Sequence, residues 1–451
     1  MKSQVDSQTE VEGNGTTLDR RELIKRAGIA GMGIAAASAV GGRLAPNAFA
    51  GAAQTKNVSV LNWHTSIAGG YGDGLKALAK GFQKKNPGAH VSFQTAPFAT
   101  YVAAETTECK SHSLPDVSIQ QPGFQHSAIF PCLKSFKKGY EGALYNQLSG
   151  WSSAQRRLNG TYFGTPVGAQ GFALYVHKGN LQKAGVNPNK APRTWSEFIA
   201  VCDALKKVGV DPIGISGADA YTLSWFWGGL MPQDMPNDAD INQFIAGKIK
   251  MTDPRISKSL QYTTETYKRG YWAAGWQDKK FSDVEADFIA GKIGMVAGLL
   301  VDIVSWKVWD EKMGVDAYVA WPFPLTPGAK VNKQLSFLLP AVVVATNASG
   351  KNQVLAKQFV NYMASQAGQT TLLNIGGAFP NRGDVSFKGT HSKQAPLISA
   401  YLKSQGSQTI AQAYFKGPVV GVEFQKLPTA IQNGTTDQLL QEMQHLQETS
   451  S

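Results

Sequence analysis

Residues Asn57–Ser66 read NVSVLNWHTS. Val58, Val60 and Leu61 make a short extended run, which stops on Trp63, His64, Thr65 and Ser66. After it, Leu75, Leu78, Ala79 and Phe82 recur at i, i+3, i+4 and i+7, the period of an amphipathic helix. Asn86-Pro87-Gly88 ends that helix. AHVSFQTA (Ala89–Ala96) then reads as a second strand and LPDVSIQQ (Leu114–Gln121) as a third. Strands alternating with helices predict an α/β unit built on a mostly parallel sheet.

The alternation restarts at GFALYVHK (Gly171–Lys178). Thr194 and Glu197 in TWSEF form a capping box, and Phe198, Val201, Cys202 and Leu205 share one face of the helix it opens. AVVVAT (Ala341–Thr346) is a further strand, followed by a helix carrying Leu355, Phe359, Tyr362 and Met363. Helical patterns return at Gln394–Leu402 and Asp437–Leu446. The octapeptide FIAGKI-x-M occurs twice, at Phe244–Met251 and Phe288–Met295. Each copy reads as a helix end, a glycine turn and a strand start; two copies do not make a solenoid. With 451 residues, 43% of them hydrophobic, the chain can build two such units.

The N-terminus has a different character. A polar lead precedes Arg20–Arg21; a short glycine- and alanine-rich run follows from Ala27 to Gly42, and AFA stands at Ala48–Ala50. The run is too short and too weakly apolar to span a membrane, which takes about 20 apolar residues. The layout is that of an export signal, and Asp19-Arg20-Arg21-Glu22-Leu23-Ile24-Lys25 resembles the twin-arginine type. Cleavage is predicted after Ala50. GMGIAA (Gly31–Ala36) within it mimics a dinucleotide fingerprint but follows no strand.

Net charge is +12, and the first fifty residues carry six basic and five acidic side chains, so the remainder keeps +11. Its basic residues are scattered or in isolated pairs such as Lys84–Lys85, unlike the clusters that hold nucleic acid. Cys109, Cys132 and Cys202 have no metal-ligand spacing. Cys202 falls on the buried helical stripe. Cys109 and Cys132 either pair in an oxidising compartment or stay free, since spacing does not test geometry. No cysteine stands beside the cleavage region, which argues against a lipid anchor.

There is no GxSxG elbow, no phosphate-binding loop and no HExxH. Two carboxyl groups facing one cleft would make a glycoside hydrolase and need not be close in sequence, so that reading stands as the alternative. The chain is richer in tryptophan, with ten. An indole offers a flat face to the C–H face of a sugar and an N–H to hydrogen-bond with. Trp63, Trp225, Trp227, Trp276 and Trp321 are therefore candidate sugar contacts, with His64, Thr65, Gln120, Gln121, Gln170, Asp302 and Arg382 as polar partners. In SWFWGG (Ser224–Gly229) an extended backbone would put both indoles on one face.

Several segments in order carry a resemblance: LNWHTS with FQKKNPGAHVSF; LPDVSI; NGTYFGTPV with ALYVHKGNLQKAGV; APRTWSEF; FIAGKIGM (Phe288–Met295); and AKQFVNYMAS with GGAFPNR. Together they resemble family 1 extracellular solute-binding proteins, the sugar-binding subunits of bacterial ABC importers. The resemblance implies a two-lobed, type II periplasmic-binding-protein fold that closes on a mono- or oligosaccharide. The partners would be membrane permease subunits with a separate ATPase. It implies a monomer that binds without chemistry and needs no cofactor. It divides the chain into lobe 1 at 54–168, lobe 2 at 169–320, a return to lobe 1 at 321–378, and lobe 2 again at 379–451. Crossings fall near Pro166–Gln170, Ala320–Pro324 and Gly376–Arg382. Trp195 and Asp116 match positions that are structural in the family. After GKIGM the family commonly has a glycine and then a tryptophan; here Leu299, Leu300 and Asp302 stand in that neighbourhood. Open α/β sheets hold ligands at the carboxyl ends of their strands, which singles out Trp63–Thr65 and Gln120–Gln121.

Overall fold

The computed structural model describes residues 56–65, 70–137, 143–299, 303–332, 334, 336–337, 342–387, 407–408 and 410–450. The N-terminal segment read as an export signal, Ser66, Leu300, Asp302 and the helical pattern at 394–402 lie outside them. No helix among the described residues is long and apolar enough to cross a membrane.

Among the described residues, nine strands make two main sheets. They are β1 (Lys56–Asn62), β2 (Ala89–Thr95), β3 (Val117–Gln120), β4 (Thr165–Val167), β5 (Phe172–His177), β6 (Asp211–Gly214), β7 (Ile293–Leu299), β8 (Tyr318–Trp321) and β9 (Val342–Thr346). The first sheet has the order β2-β1-β3-β9-β4 and the second β8-β5-β7-β6. In the first, β9 runs against β3 and β4 while β1, β2 and β3 are parallel. In the second, β5 runs against β7 and β8 while β6 and β7 are parallel. Each sheet therefore has one reversed strand, and in each it is the strand by which the chain arrives from the other sheet. On the first crossing the chain passes from Val167, the end of β4, to Phe172, the start of β5, in a short connection.

The helices pack as their patterns predict. Helix α1 (Gly70–Lys85) buries Leu75, Leu78, Ala79 and Phe82 against the first sheet. Helix α2 (Phe98–Lys110) leads to β3. Helix α3 (Trp195–Lys207) opens on the Thr194–Glu197 capping box and buries Phe198, Val201, Cys202 and Leu205. Helix α4 (Tyr221–Leu230) sinks into the second core. Helices α5 (Gln353–Ala364) and α6 (Gln366–Gly376) return to the first sheet, whereas α7 (Gly417–Asn433) and α8 (Thr436–Thr449) finish the second lobe's core. Both cores exclude water from many large side chains, and their burial is the main favourable term in folding.

Two sequence features resolve differently from one another. In the second FIAGKI-x-M copy the helix Phe281–Ile289 ends at Gly291 (φ 71°) and β7 follows, as predicted. The first copy has the helix Asp238–Ile245 and Gly247 (φ 72°), but no strand. Its Met251 turns directly into the helix Pro254–Lys268, because Asp253 caps that helix and Pro254 opens it. Cys109 and Cys132 form a disulfide within the first lobe, with Cα atoms 5.8 Å apart. Cys202 is free and buried in the other lobe.

Candidate ligand-binding cleft

The strand registers define which ends of the two sheets face one another. In the first lobe the carboxyl ends of β1, β3 and β4 lead into 62–65, 120–121 and 168–170. In the second, the first residue of β5, Phe172, pairs with Leu299 at the end of β7. Since β4 and β5 are consecutive, these ends share one rim. The lobes also touch beside it. Phe124 N–H donates to Ala413 O at 3.0 Å, Arg156 Nη2 to Asn242 Oδ1 at 2.8 Å, and the Tyr414 hydroxyl to Ser152 O.

At the end of β1, Asn62 shapes the turn. Its Oδ1 accepts the backbone N–H groups of both His64 and Thr65 at 2.8 Å. This fixes the direction in which the two side chains leave the strand. Trp63 is nearly buried, with its ring edge-on to Tyr101 at 4.7 Å. The His64 ring lies between Trp63 and Tyr71, each 4.6 Å away. Burial pushes its pKa down to about 3, so the imidazole is neutral; its Nε2 and the Tyr71 hydroxyl are buried with no hydrogen-bond partner among the described residues. Thr65 Oγ1 meets Thr95 Oγ1 at 2.7 Å.

Gln120 is a correction. Its side chain is fully buried and spent inside the lobe, with Nε2 donating to Glu105 Oε1 at 2.9 Å and Oε1 accepting from Gln155. Glu105 Oε2 in turn meets His126 Nδ1 at 2.5 Å. The Glu105 carboxyl group is fully buried, held by an amide and an imidazole. Burial raises the pKa of nearby Glu108 to about 7, with Glu105 a second, smaller cause. Gln121, one residue on, is half-buried at the rim, as is Gln170.

The tryptophans divide sharply. Residues 221–230 form a helix and not an extended run, so Trp225 and Trp227 point to different sides. Trp225 is half-buried at the rim; its ring lies 6.1 Å from Phe172, 4.8 Å from Tyr221 and 5.5 Å from Phe281. Trp227 is fully buried and its Nε1 donates to Ser259 Oγ at 2.8 Å. Trp276 packs edge-on against Trp272 at 4.7 Å in the second core, and Trp321 donates to Pro188 O at 2.8 Å from within it. These three are core residues with no free indole face for a ligand. Arg382 is also engaged: Nε and Nη2 hold Asp384 at 2.9 and 2.7 Å. Trp195 and Asp116 are structural, the first donating to Glu265, the second accepting from Ser59 and Asn352.

Sequence reasoning missed Tyr71 and Tyr221, half-buried rings beside His64 and Trp225; Phe172 and Phe281 back Trp225 from within the core. Tyr221 stands four residues before Trp225 on one helix face, a spacing readable once the segment is taken as helical.

Two α/β lobes with one reversed strand each, joined by crossing segments, define a two-lobed solute receptor of the type II periplasmic-binding-protein architecture. The chain belongs to the bacterial extracellular solute-binding protein family, whose profile matches residues 68–370. It is 21% identical to the multiple sugar-binding protein of Streptococcus mutans over 72% of this chain and 74% of that one. In fold it is similar to a chitin oligosaccharide binding protein (TM-score 0.71, 18% identity, 87% of this chain and 98% of that one). It is similar also to the solute-binding protein RafE solved in complex with raffinose (TM-score 0.66, 19% identity, 86% and 98%). The family is one of binding proteins, and the chain is a receptor and not an enzyme.

Proposed function

We propose that the chain captures a mono- or oligosaccharide between its lobes and presents the closed form to an ABC permease powered by a separate ATPase. The observation that carries this is the aromatic rim. Trp225 and Tyr221 stand half-buried on the second lobe, backed by Phe172, and His64, Thr65 and Gln121 stand half-buried at strand ends of the first, with Trp63 packed against His64. Flat rings on one side and neutral hydrogen-bonding groups on the other suit a sugar's two kinds of surface. The names of the relatives and of the solved structures point the same way. Gln170, half-buried on the first crossing, belongs to this reading; Asp302 lies outside the described residues.

Closure is a hinge motion driven by contacts that a ligand makes to both lobes at once. The receptor acts as a monomer outside the cytoplasmic membrane. It is exported by the twin-arginine route and cleaved after Ala50. In this reading it carries no lipid anchor, because no cysteine stands beside the expected cleavage region. Titration of the cleaved protein with a sugar panel, read by tryptophan fluorescence, tests the binding. Saturable quenching by a sugar supports it; a flat response to the whole panel sinks it. Amino-terminal sequencing of exported protein tests the cleavage.

A further inference from the structure

Asn381 follows α6 in the segment GGAFPNR, and every hydrogen-bonding group it has is used. Its Nδ2 donates to Ser149 O at 2.8 Å and to Pro166 O at 3.1 Å. Its Oδ1 accepts from Gly168 N at 3.2 Å and from Gln369 Nε2 at 2.5 Å. Its backbone N–H donates to Gln369 Oε1 at 2.9 Å, and its carbonyl accepts from Ser149 N at 2.8 Å and Ser149 Oγ at 3.1 Å. The residue is only 4% exposed. A buried amide with all its partners met is rigid, because losing any one bond strands a polar group away from water.

The partners belong to three pieces of chain, and all three lie with the first lobe. Ser149 precedes the short helix at Trp151, Pro166 lies in β4, and Gln369 sits on α6. Arg382 and Asp384 continue the attachment, through Ala364 O at 3.4 Å and Gln366 Nε2 at 2.6 Å. Next to the amide the allegiance changes. Ala169 N–H donates to Phe379 O at 2.7 Å, and both side chains pack with Ala173, Tyr175 and Phe281 of the second lobe. On the first crossing the change falls between Gly168 and Ala169. Gly168 has φ 74°, a conformation open to glycine at little cost.

We propose that Asn381, held by Gln369, is the pin of the hinge: it fastens two crossing segments to the first lobe, so that the lobes pivot about the Ala169–Phe379 pair. Asn381 touches no ligand in this arrangement and acts as a positioning residue. Because the pin is an uncharged amide among carbonyls, salt does not screen it.

The test needs no ligand, so it stands apart from the sugar titration. Spin labels go on Lys84→Cys and Lys268→Cys, exposed positions on opposite lobes, in the folded chain. The buried Cys202 thiol, its pKa raised by desolvation, stays unlabelled. Electron–electron distance distributions are expected to broaden in Asn381→Ala, and more in Asn381→Asp, whose carboxylate would face two carbonyl oxygens. Gln369→Ala broadens the distribution too and, being helical, tolerates alanine. The double variant broadens it no further than Asn381→Ala, because the two residues act as one unit. An unchanged distribution in Asn381→Ala or Gln369→Ala overturns the proposal, as does additive broadening in the pair. If Asn381→Ala does not fold, Gln369→Ala alone decides it.

Discussion

Gly74 on α1 and Gly376 at the end of α6 meet backbone to backbone. A Cβ placed on Gly74 would stand 2.8 Å from the Gly376 Cα and 3.2 Å from its nitrogen. Neither partner is a side chain that can swing away. Gly74→Ala therefore forces the two helices apart and should cost about 1–3 kcal/mol in denaturant unfolding. An alanine that leaves the midpoint unchanged would show that the helices separate freely.

The disulfide closes a loop spanning Cys109 to Cys132, a sequence separation of 23, which contains β3 and the rim residue Gln121. Loop-closure entropy for that length predicts a loss of about 3 kcal/mol in the double variant Cys109→Ser/Cys132→Ser. A reducing agent should lower the wild-type midpoint by a similar amount and leave the double variant where it is. Equal sensitivity of both would mean that the reductant acts elsewhere.

Glu423 on α7 is buried, and desolvation raises its pKa to about 7. Gln412 Nε2 donates to its Oε1 at 2.7 Å and also reaches Ser224 Oγ at 2.6 Å, while Oε2 has no partner. Between its ordinary value of 4.5 and about 7 the folded chain holds this proton and the unfolded chain has lost it. Stability therefore falls as pH rises through that window and levels off above it, by up to about 3 kcal/mol. Glu423→Gln keeps the acceptor for Gln412 and removes the titration. Its unfolding free energy, followed from pH 4.5 to 8, should lack the part of the slope that Glu423 supplies. An identical slope in both proteins would locate the titration elsewhere, with Glu108 the next group to examine.

Trp225 and Trp227 make a matched pair. Trp225→Ala should weaken sugar binding at least tenfold, roughly the 1.4 kcal/mol that a stacked ring supplies, with little change in melting. Trp227→Ala removes a fully buried indole and the hydrogen bond it donates to Ser259, so it should cost about 3–5 kcal/mol of stability. Calorimetric titration and melting of both variants separate the two roles. The reverse outcome would assign the rim to the wrong tryptophan.

Much of the fold was readable because its signals are local. The α1 stripe, the Thr194 capping box and the β3 strand each depend on residues within one or two turns. The site was harder for identifiable reasons. Residues 221–230 are apolar almost all round, so no period separates helix from strand there. Strand β3 is buried on both faces, so Gln120 at its end looks cleft-facing until Glu105 and Gln155 are found behind it. Arg382 has its counter-ion only two residues away, yet no pattern rule pairs Arg382 with Asp384. Trp321 and Trp276 stand beside turns, but their partners Pro188 and Trp272 are fixed only by packing.

The placement of the three cysteines bears on how the protein reaches its oxidised state. Three thiols allow three pairings, and two of those would tie Cys202 to the other lobe. Cys202 is sealed in that lobe's interior, while Cys109 and Cys132 already sit within bonding reach. Oxidation of the folded chain therefore leaves one bridge within reach, and the two wrong bridges are closed off by the burial of Cys202.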